Sequence, residues 1–299
     1  MNAPPVVLDF DAAVPPLPAE HRLPFSDEAH ETYRFGCRVR DMRALREDLD
    51  RRMPRFADHG TVFFGSGDFH HLSWPLVQRC IAAMRATSAE PLRLVVLDNH
   101  PDNMRFPWGV HCGSWVRRVA LMPEVAHVHV AGITSGDIGP GHAWENYLAP
   151  LRAGKLTYWS AGVDTRWGRW LGAGSAFRSF DDLDALVHAL CRALMDSRAP
   201  TYLSIDKDVF AEAVLQTNWD QGDMRLHHLD AICAALAGTV VGSDVCGEVS
   251  SWHYRTRWKR WLSAADGQAP PVPGAELAAW QQRQGEVNQR ILTALSRRP

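Results

Sequence analysis

The sequence predicts an α/β protein: a three-layer α/β/α sandwich on a mostly parallel sheet. Short apolar runs of strand length recur along the chain and end in Gly or Asp. Between them lie stretches with helical periodicity, the alternation that builds parallel βαβ units. Polar clusters sit just after the apolar runs, and sheets of this class bind ligands at the carboxyl ends of their strands.

The elements follow in order. Residues 1–30 read as an extended N-terminal arm, because Pro15-Pro16 opposes regular structure. Residues 31–299 read as one domain. Residues 61–64 form an apolar run before Gly65-Ser66-Gly67, a buried strand and its turn. Residues 72–86 have a helical pattern, and 92–97 form a strand ending at Asp98. A short helix is expected over 113–121, with strands over 127–133 and 156–159. The helix at 181–195 starts with Asp181 and Asp182 and aligns Leu183, Leu186, Val187, Leu190 and Leu194 on one face. A strand over 201–205 ends at Asp206, a helix covers 226–237, and a strand over 239–245 leads to Glu248. Three prolines near 268–274 suggest a linker before a closing helix over 275–296.

Composition narrows the function. The 299 residues carry a formal net charge of −2, which speaks against wholesale nucleic-acid binding. No apolar run nears the roughly 18 residues that span a bilayer, and the N-terminus lacks a signal-peptide pattern. The six cysteines form no CxxC pair and read as thiols of a reducing cytoplasm. The basic and aromatic stretch from Trp252 to Trp261 could suggest nucleic acid. Tyr254, Trp258 and Trp261 instead fall on one helical face, expected to dock on the core or line a subunit contact.

Chemistry concentrates in three motifs. Asp98-Asn99-His100-Pro101-Asp102 sets two acids and a histidine at i, i+2 and i+4, which share a side in extended chain, and Pro101 favours that conformation at His100. Ser204-Ile205-Asp206-Lys207-Asp208 repeats two acids at i and i+2. Gly65-Ser66-Gly67-Asp68-Phe69-His70-His71 presents histidine from a glycine-rich turn. Four aspartates in one cleft would raise one another's pKa unless cations neutralised them. Carboxylates with imidazole and no thiolate cluster suit manganese better than structural zinc. Two such ions, about 3.5–4 Å apart, could share a bridging hydroxide as nucleophile.

At these residues the chain resembles the arginase/agmatinase (ureohydrolase) superfamily over roughly residues 61–250. Its GGDH, DAHxD and SxDxD motifs and a late glutamate recur here in the same order. The resemblance implies an arginase-like fold and six ligands to two divalent ions, with manganese the expected metal: His70, Asp98, His100, Asp102, Asp206 and Asp208. His71 competes with His70, whose distance to Pro75 resembles the family's HSxxxP spacing. His111 falls where the family keeps a proton-transfer histidine. Asp208 or Asp102 would orient the nucleophile, and Glu248 resembles the glutamate that receives a guanidinium, though it could pair with Arg255 or Arg257 instead. Asp220 is a candidate for a supporting or substrate contact. Cys112 and Cys246 would lie near the site as inert thiols.

The implied activity is hydrolysis of a C–N bond in a small guanidino or amidine compound, by a cytoplasmic homo-oligomer that binds neither nucleic acid nor membrane. The alternatives are a deacetylase-like amidohydrolase, with His70 and His71 as paired histidines, or an inactive metal-binding protein of the same fold. The departures mark a divergent branch: GSGDFHH for GGDHS, Lys207 between the aspartates, no DP after SxDxD, and Gly247 inserted before Glu248. The loop from Asp102 to His111 is short, so arginine specificity does not carry over.

Overall fold

The computed structural model describes residues 3–86, 88–265 and 273–296. In chain order the strands are β1 (Val6–Asp9), β2 (His21–Pro24), β3 (Gly36–Cys37), β4 (Val62–Phe63), β5 (Leu92–Leu97) and β6 (Val110–His111), then β7 (Val125–Ile133), β8 (Leu156–Ala161), β9 (Phe177–Phe180), β10 (Thr201–Asp206) and β11 (Val240–Cys246). Nine of them form one sheet in the order β2-β1-β4-β11-β10-β5-β7-β8-β9. Every pairing in it is parallel. β3 and β6 form a separate two-residue antiparallel ribbon.

Alternation along the strands fills two cores. Leu92, Leu94 and Val96 of β5 enter one, with Leu45, Leu76, Val77 and Val119 from helices. Val95 and Leu97 enter the other, with Leu186, Leu190, Ile232, Val287 and Ile291. Helices therefore cover both faces, and the central strands β5 and β10 are buried along their whole length. The helix Leu183–Met195 begins as expected, with the Asp182 carboxylate accepting from the Ala185 amide.

The N-terminal arm is corrected. Residues 6–9 and 21–24 are sheet strands, β1 lies between β2 and β4, and Ser26 caps the helix Asp27–Tyr33. Val6, Val7 and Leu8 are fully buried. Three successive apolar residues outweigh the prolines, which occupy the connection between the two strands. The Trp252–Trp261 expectation is also revised. Tyr254 is buried ahead of the helix Arg257–Ala265, while Trp258 and Trp261 are exposed. That helix is fastened by Lys259, whose ammonium donates to the carbonyls of Thr32 and Arg34. Of the expected linker, residues 268–272 lie outside the described residues, and Gly274 opens the helix Gly274–Ser296. Among the described residues no helix is long and apolar enough to cross a membrane.

Candidate metal centre

Three strand ends build the site. After β4 the chain turns through Gly65 (φ +85°) into a 3-10 helix, Gly67–Leu72, that carries His70. After β5 come Asp98, His100 and Asp102. The chain bends here instead of running extended, and Asp102 takes φ +46°. A left-handed aspartate is a strained conformation of the kind that gathers at functional sites. β10 ends in Asp206, whose carboxylate accepts from the Asp208 amide at 3.2 Å and folds the turn so that both acids reach the cavity.

The six expected ligands converge. His70 Nδ1 lies 2.8 Å from Asp102 Oδ2, 3.2 Å from Asp98 Oδ2 and 3.5 Å from Asp206 Oδ2. His100 Nδ1 lies 3.0 Å from Asp208 Oδ2 and 3.5 Å from Asp98 Oδ1. The result is two groups with metal-ligand geometry, His70–Asp98–Asp102 and Asp98–His100–Asp208, joined through Asp98. His70 and Asp206 also meet Cys246, whose thiol donates to Asp206 Oδ2 at 3.1 Å.

The outer partners fix both rings. Ser204 Oγ donates to Asp244 at 2.6 Å, so at 3.0 Å from His70 Nε2 it accepts the ring proton. Asp220 Oδ1 accepts from His100 Nε2 at 2.8 Å. With its outer nitrogen held in this way, each imidazole turns Nδ1 toward the aspartates, the orientation that outer-shell partners impose on metal-ligating histidines. Asp102 Oδ2 accepts from Trp115 Nε1 at 2.6 Å, and Asp208 Oδ1 from the Asn99 amide at 3.1 Å. Sequence reasoning missed Ser204, Trp115, Asn99 and Asp244. Ser204 and Asn99 stood inside recognised motifs and Asp244 in the polar cluster at the end of its strand, whereas Trp115 carried no local signal.

The electrostatics favour a cation. Burial raises the pKa of Asp102 to about 7, aided by neighbouring Asp98. Burial and the neighbouring aspartates likewise raise Asp206 and Asp208. Burial alone would lower His70 and His100, but the surrounding carboxylates outweigh it and raise both well above the ordinary range. Carboxylates packed this closely call for positive charge, which protons or divalent cations supply. Asp98 Oδ2 is buried with no donor in hydrogen-bonding geometry, as a ligand oxygen would be. The donor set therefore fits hard or borderline divalent cations.

Above the cluster opens a cavity of about 430 Å³, lined among others by His111, Cys112, Asp137, His142, Glu145, Trp219 and Asp220. His111 reaches it as expected. Its Nδ1 accepts from the Gly113 amide at 3.1 Å, leaving the ring proton on Nε2, and burial lowers its pKa to about 3. Burial thus favours the neutral ring, which carries its donor on Nε2. His71 is buried next to His70, but burial and nearby His111 and Lys259 push its pKa far down, and it belongs to neither group of ligands. The paired-histidine arrangement is not formed.

Glu248 requires a correction. It does not line the cavity but is buried against Lys207 Nζ at 2.6 Å. Gly247 turns the chain there with φ +91°, which sends the glutamate inward. The residues flagged as departures, Lys207 and Gly247, therefore account for its displacement.

No family model matches the chain. An uncharacterized protein of Thermotoga maritima is 25% identical over 190 residues, 63% of this chain, and the chain spans 58% of that relative's length. Solved structures agree in fold. Proclavaminate amidino hydrolase from Streptomyces clavuligerus aligns at a TM-score of 0.54 and 14% identity, over 99% of this chain and 92% of that one. Agmatine ureohydrolase of Thermoplasma volcanium gives 0.52 and 12%, over 98% and 90%. Entamoeba histolytica arginase gives 0.51 and 12%, over 99% and 98%. On the parallel sheet it shares with all three, this chain has the arginase-like fold, with its acid and histidine cluster at the carboxyl ends of the strands.

Proposed function

We propose that the protein is a hydrolase with two divalent metal ions, manganese by preference, that cleaves a C–N bond of a guanidino or related amidine compound. One observation carries this: His70 and His100 turn Nδ1 inward on Asp98, Asp102 and Asp208 in two groups joined by Asp98, with Asp206 beside His70, at the base of a cavity. His70, Asp98, Asp102 and Asp206 would hold one ion. Asp98, His100 and Asp208 would hold the other. When bound, such a pair supplies Lewis-acid activation of water at neutral pH.

The protein's own groups do the rest. Asp208 or Asp102 orients the attacking water. Asp137 and Glu145, on the cavity wall, make it acidic and suited to a cationic head group. They take the place that the sequence assigned to Glu248. His111 brings no positive charge to repel that cation and offers Nε2–H to the leaving nitrogen. Fold likeness, ligand chemistry and cavity polarity together support this assignment over an inactive protein of the same fold. A homo-oligomer in the cytoplasm remains part of the proposal.

The test is metal content by mass spectrometry on protein from manganese-supplemented cells, beside Asp206→Ala, followed by a screen of guanidino and amidine compounds for urea or ammonia release. About two ions per chain are expected, with fewer in the variant. No bound metal, or an Asp206→Ala protein with full metal and turnover, would remove the assignment.

A further inference from the structure

Lys207 stands between two ligand-bearing aspartates yet turns away from the cavity. It is fully buried, and its Nζ reaches Glu248 Oε1 at 2.6 Å and donates to Asn288 Oδ1 at 3.0 Å. Asn288 Nδ2 in turn donates to Glu248 Oε1 at 2.8 Å. The three side chains close a triangle between the end of β10, the end of β11 and the helix Gly274–Ser296. One turn earlier on that helix, Gln284 Nε2 donates to the carbonyls of Gly247 and Gln216, at 3.0 and 2.6 Å. Gly247 then packs directly on the ligand turn: a Cβ there would lie 2.5 Å from Asp206 Oδ1 and 2.6 Å from the Lys207 amide nitrogen.

This arrangement has a mechanical consequence. Asp206 and Asp208 are buried acids one residue apart on a short turn, and without cations they repel each other. A turn left to itself would relieve that repulsion by splaying. Its middle residue is instead fastened to the core, behind the ligands and out of reach of substrate. Groups that hold ligands in place without touching the ion commonly govern affinity.

We propose that Lys207, Glu248 and Asn288 form a positioning strut through which the C-terminal helix holds Asp206 and Asp208 in ligand geometry. The inference rests on the metal-centre assignment above. It makes Glu248 a positioning residue and not a substrate-binding one.

The experiment uses the full chain, with Mn2+ affinity from titration calorimetry and the melting temperature of the metal-free protein. In Lys207→Met/Glu248→Gln both charges are removed together, a change that need not destabilise a buried pair. The metal-free melting temperature should stay near that of the parent, while Mn2+ affinity falls about tenfold or more. The visible absorption of the Co2+-loaded variant should also differ from the parent's. Parent-like affinity and spectrum would overturn the strut and leave the metal centre standing. Should the double variant not fold, Asn288→Ala keeps the ion pair and removes one corner. It should lose affinity in the same direction by a smaller factor, and parent-like affinity there would overturn the strut as well. A parent protein that binds no Mn2+ would overturn the metal centre and the strut together.

Discussion

The ends of β5 and β11 make an instructive pair. β5 is buried throughout and β11 over its last four residues, both stop at a cluster containing acids, and both reach the same rim of the sheet. At β5 the acids enter the cavity. At β11 Asp244 accepts hydrogen bonds from Ser73, Ser204 and Tyr202, while Glu248 turns inward to Lys207. The difference lies in a few backbone angles. Asp102 at φ +46° brings its carboxylate back toward Asp98 and His70, and Gly247 at φ +91° carries Glu248 away from them. Residue spacing tells which acids a strand end can offer. The turn decides where they go.

The largest effect should come from breaking the β5 side. Asp98 belongs to both groups of ligands, so Asp98→Ala should take metal content from about two ions per chain towards none, with turnover lost alongside. Retention of one full ion, read by mass spectrometry, would show that the two groups are independent. On the β11 side, Gly247→Ala forces a side chain into a left-handed position and against the Lys207 backbone. It should cost about 1–3 kcal/mol in urea unfolding and weaken metal binding too. An unchanged unfolding midpoint would mean that this turn is not fixed as described.

A finer contrast separates the two neighbouring histidines. His70→Ala should lower Mn2+ affinity with a modest change in stability. His71→Ala should do the reverse, losing roughly 1–3 kcal/mol of stability while keeping its metal. Parallel metal titrations and melts of the pair would reveal a reversed assignment at once.

The last effect, absent at neutral pH, concerns a histidine apart from both strand ends. His129 accepts from Trp159 Nε1, and burial, with some help from His127, lowers its pKa from 6.5 to about 3. The unfolded chain takes up a proton below pH 6.5 that the folded chain refuses until about pH 3. This contribution is therefore complete above pH 6.5 and declines as pH falls through that window. His129→Leu should flatten the acid limb of a melting-temperature profile, and an unaltered slope would exclude His129 as a cause.

Much of this could be read along the chain. The βα alternation, the strand over Leu92–Leu97, the helix capped by Asp182 and the six acids and histidines at strand ends all depend on local pattern: apolar periodicity, capping chemistry and ligand types in order. Such signals survive in one dimension because each is written within a few residues. The N-terminal strands were hidden because Val6–Asp9 is too short to signal a strand without the partners that bury it. Tertiary structure alone decided that His70 and not His71 meets the aspartates, that Ser204 and Asp220 fix the two rings, and that Glu248 answers Lys207. Each depends on groups dozens to hundreds of residues apart brought within about 3 Å, where hydrogen bonds form. The sequence by itself determined which chemistry the protein carries; the packing of distant segments determined which of those groups face the cavity and which hold the others in place.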